Sequence, residues 1–151
     1  MIQASVIDLP PVFDGIEAVC FDAFGTLVEI TEKRGAVRQL FKAVPPNKRV
    51  ELKHRLMWEP GPIADWLEVY VGDADPVMAQ DIYAQELSEV ASVTIRPGMS
   101  DIWALLRIKG LRLAICSNLA SSFGLAVRRA LPDPRDVVVF SYEVDVIKPE
   151  P

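Results

Sequence analysis

Apolar and polar positions fall into two regimes along the chain. Near the N-terminus, residues 16–21 (IEAVCF) form a short apolar run, rich in β-branched and aromatic residues and free of turn signals, which predicts a buried strand. From Thr31 the apolar residues recur at intervals of three and four. Ala36, Val37, Leu40, Phe41 and Val44 predict a helix over 31–44, with Thr31 as its N-cap and Pro45-Pro46 as its stop. Val50, Leu52, Leu56 and Met57 predict a second helix over 47–58, ended by Glu59-Pro60-Gly61-Pro62. Trp66, Leu67, Tyr70 and Val71 predict a third over 63–71, closed by Gly72-Asp73. A fourth, over 76–90, would turn Val77, Ile82, Tyr83 and Leu87 inward, with Pro76 tolerated in its first turn. Four helices in succession, with no strand between them, make a helical insert.

Beyond it the pattern changes. Val93-Thr94-Ile95-Arg96-Pro97-Gly98 reads as an extended link and a turn, followed by a helix over 99–108 with Gly110 as its C-cap. Residues 111–116 (LRLAIC) predict a second buried strand, 121–131 a helix stopped by Pro132-Asp133-Pro134, and 137–140 (VVVF) a third strand. Strand, helix and strand in alternation imply right-handed crossovers and a parallel sheet. The expected fold is therefore α/β, a Rossmann-like three-layer arrangement whose core is built from 1–30 and 94–151 and carries 31–93 as an all-helical insertion. Residues 1–15, with Pro10-Pro11, read as an irregular leader or extended arm.

Composition narrows the function classes. A chain of 151 residues, half of them apolar, is one ordinary domain with a sizeable core. The net charge of -5 argues against a nucleic-acid partner. Lys48-Arg49, Lys53-His54-Arg55 and Arg128-Arg129 read as solvated helix faces. No run reaches the roughly eighteen apolar residues that span a bilayer. The N-terminus has Asp8 and two prolines where a signal peptide needs a basic start and an apolar core, so a soluble, cytoplasmic protein without a membrane partner is expected. Cys20 and Cys116 sit inside strand candidates and read as small buried hydrophobes. The sole histidine, His54, has no base partner in view and is given no catalytic role.

The candidate chemistry lies at the strand ends. Asp22 ends the first strand, and in open α/β sheets ligands bind in the crevice beyond that edge. The alternative is that Asp22 merely caps the turn ahead of Gly25. The second strand ends in Ser117-Asn118, and the third leads one loop later to Lys148, so all three deliver polar groups to the same edge. Taken singly, Ser117-Asn118 could be a helix N-cap and Lys148 a surface ion pair. Taken together they form a set. A carboxylate can attack an electrophilic centre to give a covalent ester. A lysine supplies the counter-charge for an anionic substrate or leaving group. Ser, Thr and Asn donors with the N–H groups of a Gly loop can grip anionic oxygens.

These residues carry a family resemblance. Asp22-Ala23-Phe24-Gly25-Thr26-Leu27-Val28, a helical insert, Pro97-Gly98, Ile115-Cys116-Ser117-Asn118, Phe140-Ser141-Tyr142-Glu143 and Lys148-Pro149-Glu150-Pro151 together resemble the haloacid dehalogenase-like hydrolase superfamily in order and spacing. The resemblance implies that Asp22 is a nucleophile and Lys148 its charge-neutralising partner. Phe24, Gly25, Thr26, Ser117 and Asn118 would contact substrate, and the helical insert would be the cap that selects it. Phosphatases of the family carry a second aspartate two residues after the first, as general acid. Here that position is Phe24, which cannot donate a proton and so favours a good leaving group, as in the 2-haloacid dehalogenase branch. That branch places an arginine in the early cap to hold the substrate carboxylate, a role open to Arg38 or Arg34. A phosphatase-type member would bind Mg2+ through Asp22 and the Phe24 backbone carbonyl; a dehalogenase-type member would need no cofactor. A family strand with an acidic motif would follow Pro151, beside the first strand. The expectation is accordingly a shortened version of a longer protein, or a chain completed by a homodimer or another sheet-completing partner.

Overall fold

The computed structural model describes residues 11–133 and 135–149. Most of the predicted leader lies outside them; of its last part, Pro11–Phe13 forms a 3-10 turn. Strand β1 (Ala18–Phe21) leads into the Asp22 loop and a short strand, β2 (Val28–Ile30). Helices α1 (Ala36–Ala43), α2 (Arg49–Trp58), α3 (Asp65–Val71) and α4 (Pro76–Ala91) follow, and β3 (Val93–Ile95) closes the insert. The remainder alternates: α5 (Met99–Ile108), β4 (Arg112–Ser117), α6 (Ser121–Ala130), β5 (Val137–Phe140) and a one-turn α7 (Ser141–Val144).

Strands β1, β4 and β5 pair in that order and all run parallel, with Phe21 opposite Ile115 and Ser117 opposite Phe140. The α/β parallel sheet expected from the alternation is thus present. Its register puts Leu113, Ile115 and Phe140 on one buried face. Trp103 and Leu106 of α5 and Phe123 and Val127 of α6 join the same core cluster, and Trp103 packs on Phe21 with ring centroids 5.7 Å apart. The opposite face, made of Ala18, Cys20, Ala114, Cys116, Val137 and Val139, is exposed or half-buried. Among the described residues one helical layer therefore lies against this sheet. The openness of that second face corrects two expectations. β1 is not fully buried, and Cys20 is exposed and Cys116 half-buried instead of packed inside.

The insert is tied to the core at both ends. β2 and β3 pair antiparallel, Val28 opposite Ile95 and Ile30 opposite Val93, and so form a two-stranded stem that the apolar pattern did not reveal. Thr31 is not the N-cap of α1. Its hydroxyl donates to the Ser92 carbonyl (3.1 Å), and the helix starts after Gly35, which has a left-handed φ of 91°. A carboxylate from α4 takes over the capping: Glu89 accepts from the Arg34 and Gly35 N–H groups at 2.8 and 2.7 Å.

α4 also shows a different buried face from the one expected. Ile82, Glu86 and Glu89 are buried, whereas Val77, Tyr83 and Leu87 are exposed. Both Glu86 oxygens accept from the Ile63 N–H, so the two glutamates serve backbone donors that would otherwise be unsatisfied. Val50 on α2 is likewise exposed, while Leu52 and Leu56 pack inward. Arg55 joins α2 to α3, with its guanidinium 4.7 Å from the Trp66 ring centroid and bonded to Glu59 at 2.6 Å.

Candidate functional site

The C-terminal ends of β1 and β4 and the loop after α7 converge on one edge of the sheet. Lys148 Nζ lies 3.3 Å from Asp22 Oδ1 and donates to the Cys116 carbonyl at 2.6 Å. Both side chains are about half exposed, at 45% and 47%. Lys148 is held from the other side as well. Asn118 Nδ2 donates to the Lys148 carbonyl and Asn118 Oδ1 accepts from the Lys148 N–H, each at 2.9 Å. The Asn118 amide is therefore spent on positioning the lysine loop. Among the described residues Asp22 Oδ2 accepts no hydrogen bond, so one carboxylate oxygen is left for a reaction partner.

The loop after Asp22 folds on its own backbone. The N–H groups of Thr26, Leu27 and Val28 all reach the Ala23 carbonyl, at 3.2, 2.8 and 3.0 Å. Gly25 turns the chain with a φ of 78°, a conformation that a side chain would strain, and its N–H is bonded to the Val28 carbonyl. Arg96 Nη1 donates to the Gly25 carbonyl, and the Arg96 N–H to the Leu27 carbonyl at 2.9 Å. Sequence reading missed this arginine as a clamp on the loop; its place just before Pro97-Gly98 was the only hint. Thr26 is half-buried in the loop, and Ser117 ends β4 at 2% exposure.

Phe24, two residues past Asp22, meets Phe123 of α6 edge-on, ring centroids 5.6 Å apart. That contact fixes the ring by packing. Phe24 and Asn118 also line a cavity between α1, α2 and the core. Arg38 is on that wall, exposed and without an ion pair among the described residues. Arg34 lines the cavity too, but its guanidinium is engaged by Glu32 at 3.1 Å and by Ser88 at 3.4 Å. Of the two arginines, Arg38 is the one available to an anion.

Solved structures share this fold. A HAD family enzyme from Bacteroides thetaiotaomicron superposes with a TM-score of 0.60 at 16% identity, over 90% of this chain and 73% of that one. This chain has the haloacid dehalogenase-like fold. The same fold recurs in that enzyme's complex with magnesium and inorganic phosphate, at a TM-score of 0.57 and 17% identity over 90% of this chain and 74% of that one. It recurs again in the L-2-haloacid dehalogenase from Xanthobacter autotrophicus with chloropropionic acid covalently bound, at a TM-score of 0.53 and 23% identity. There the match covers 89% of this chain and 60% of the dehalogenase, so this chain spans less than two thirds of that protein's length. No family model and no curated protein matches the sequence. No helix among the described residues is long and apolar enough to cross a membrane.

The magnesium in the Bacteroides thetaiotaomicron enzyme's complex raises the question of a metal here. Asp22 and the Phe24 carbonyl are the oxygens that the resemblance offers. Among the described residues no group of three or more His, Cys, Asp or Glu side chains could hold a metal, and the Lys148 ammonium already stands against the one carboxylate. Mg2+ requires a near-octahedral set of about six oxygens. The described donors alone do not make such a set.

Proposed function

We propose that this haloacid dehalogenase-like chain is a hydrolase acting on a small anionic substrate through an ester of Asp22. The observation that carries the reading is the Asp22–Lys148 pair, with one carboxylate oxygen left open beside it. In this reading Asp22 Oδ2 attacks the carbon bearing the halogen of a 2-haloacid. A C–O bond forms as the C–halogen bond breaks, and the halide departs with the bonding pair. Water then adds to the Asp22 ester carbonyl. The ester C–O bond breaks, the 2-hydroxy acid leaves, the carboxylate is restored and one proton is released.

Lys148 offsets negative charge at each stage, Asn118 fixes its position, and Arg38 holds the substrate carboxylate. The helical insert, residues 31–93, acts as the cap. Phe24 favours halide over alkoxide departure, because a phenyl ring cannot protonate an oxygen and losing a general acid costs roughly 10²- to 10⁴-fold. The test is a panel of 2-haloacids and phosphate esters assayed with and without Mg2+. Halide release that Asp22→Asn abolishes is expected; magnesium-dependent phosphate release, with no halide release, overturns the dehalogenase assignment.

The open sheet face, and the edge position of β1 among the described residues, favour a second reading, a chain of this fold that binds a second copy or another sheet-completing partner. Cooperatively folded protein that turns over neither substrate class and sediments above the monomer mass would select it.

A further inference from the structure

The cavity between α1, α2 and the loops after β1 and β4 has a volume of about 990 Å³. Its apolar wall is built from Val37 and Phe41 of α1, Leu56 and Met57 of α2, and Phe24 and Phe123 of the core. Its polar groups are biased in sign. Lys33, Arg38, Lys42 and Lys53 line the cavity beside one carboxylate, Glu89, which is already committed to the Arg34 and Gly35 N–H groups, while the Arg34 guanidinium on the same wall is paired with Glu32. In a chain of net charge -5 this is a local reversal of potential, and it selects anions. The periodicity of α1 produces both features. Val37 and Phe41 are four residues apart, as are Arg38 and Lys42, so an apolar row and a cationic row run side by side along one helix. Asn118 belongs both to this wall and to the clamp on the Lys148 backbone, and Phe24 on the same wall lies two residues past Asp22.

A three-carbon haloacid does not match such a space. Its short body covers little of the apolar wall formed by Val37, Phe41, Leu56 and Met57, which is left against water. We propose that the site takes an anion with an extended apolar body: a carboxylate or phosphate monoester bearing an alkyl or arylalkyl chain of about six carbons or more. Arg38 and Lys42 hold the charge, and Val37, Phe41, Leu56 and Met57 receive the body. The reaction at this site rests on the hydrolase reading; the binding does not.

Binding and turnover are therefore measured separately. Asp22→Asn protein, unable to form the ester, is titrated with butanoate, hexanoate and octanoate and with the matching alkyl phosphates. Each fully buried methylene is expected to lower Kd about three- to fourfold. Val37→Trp fills the space and abolishes that dependence on length. Phe41→Ala, which removes wall without blocking the cavity, reduces it. Arg38→Ala weakens every member of the series about tenfold at unchanged slope. The head group bound more tightly distinguishes carboxylate from phosphate. A Kd independent of chain length overturns the proposal, as does a slope that survives in both Val37→Trp and Phe41→Ala. Halide release from 2-chlorohexanoate and 2-chloropropionate by the unaltered protein forms the second arm. Length-dependent binding without halide release removes the dehalogenase reading and leaves this inference standing; release from chloropropionate with length-independent binding does the reverse.

Discussion

Lys148 and Asp22 meet across 126 positions of sequence, Nζ 3.3 Å from Oδ1, and the lysine is held by other groups as well. Its ammonium is also bonded to the Cys116 carbonyl, and its backbone is gripped by Asn118 at both N–H and C=O. A cation fixed by groups that do not react is preorganised for charge that develops during a reaction.

Removing that cation should therefore damage chemistry more than folding. Lys148→Ala is expected to lower kcat by about 10²- to 10³-fold. The unfolding free energy should shift by no more than about 1 kcal/mol, because the pair is half exposed and water screens it. Steady-state kinetics and urea unfolding of the same preparation check both. Equal losses in kcat and in stability would make Lys148 a structural ion pair.

Asn118→Ala should reproduce part of this effect by a different route. Two hydrogen bonds to the Lys148 backbone disappear while the ammonium itself remains. The expected result is a fall in kcat of about tenfold with a smaller change in KM, since a loosened charge stabilises the transition state less than a fixed one. A change confined to KM would point instead to direct substrate contact by the amide.

How legible these features were depended on where their partners lie. α5 and β5 fall on their predicted bounds, because their apolar runs end at local turn signals. The convergence of Asp22 and Lys148 was legible for a related reason: parallel strands deliver their C-terminal ends to one edge whatever the loops do. The β2–β3 stem was not, since three residues pair with three others more than sixty positions away. Nor was the rotation of α4 about its axis. Val77, Tyr83 and Leu87 are more apolar than Glu86 and Glu89, yet the glutamates go inside to meet the N–H groups of Ile63, Arg34 and Gly35. Arg96 escaped notice for the same cause, its acceptor being a carbonyl 71 positions earlier.

Glu89 yields a stability prediction. Glu89→Ala strands two N–H groups at the start of α1 and should cost about 2–3 kcal/mol. Glu89→Gln keeps an acceptor and should cost about 1 kcal/mol. Denaturant unfolding measures both, and equal costs would show that the charge, not the acceptor, is what α1 needs.

Glu86 yields a pH prediction. Burial holds its carboxyl above the usual carboxylate range, and the neighbouring Asp65 and Glu89 push the same way, whereas Ser122 and the Ile63 N–H oppose them. The folded state thus binds the proton more tightly than the unfolded chain. Its contribution to stability is complete below the unfolded value, near 4.5, and is lost as pH rises through the higher folded value. Glu86→Gln, neutral at every pH, should flatten the stability profile over that window and stabilise the fold at neutral pH relative to the parent. A parent profile that rises with pH across the same window would mean that Glu86 is held ionised.

The open face of the parallel sheet makes the last prediction. Ala18 and Cys20 of β1, Ala114 and Cys116 of β4, and Val137 and Val139 of β5 share this face, and the outer backbone edge of β1 pairs with no other strand among the described residues. Such an edge recruits further strands unless charge guards it. The protein at tens of micromolar should sediment as more than a monomer and bind ANS. Cys20→Lys, a charge placed at an exposed strand position, should reduce both at least severalfold, while changing stability by only about 0.5 kcal/mol. Sedimentation as a monomer by both proteins would mean that this face needs no cover, and the sheet-completing partner would then lose its physical basis.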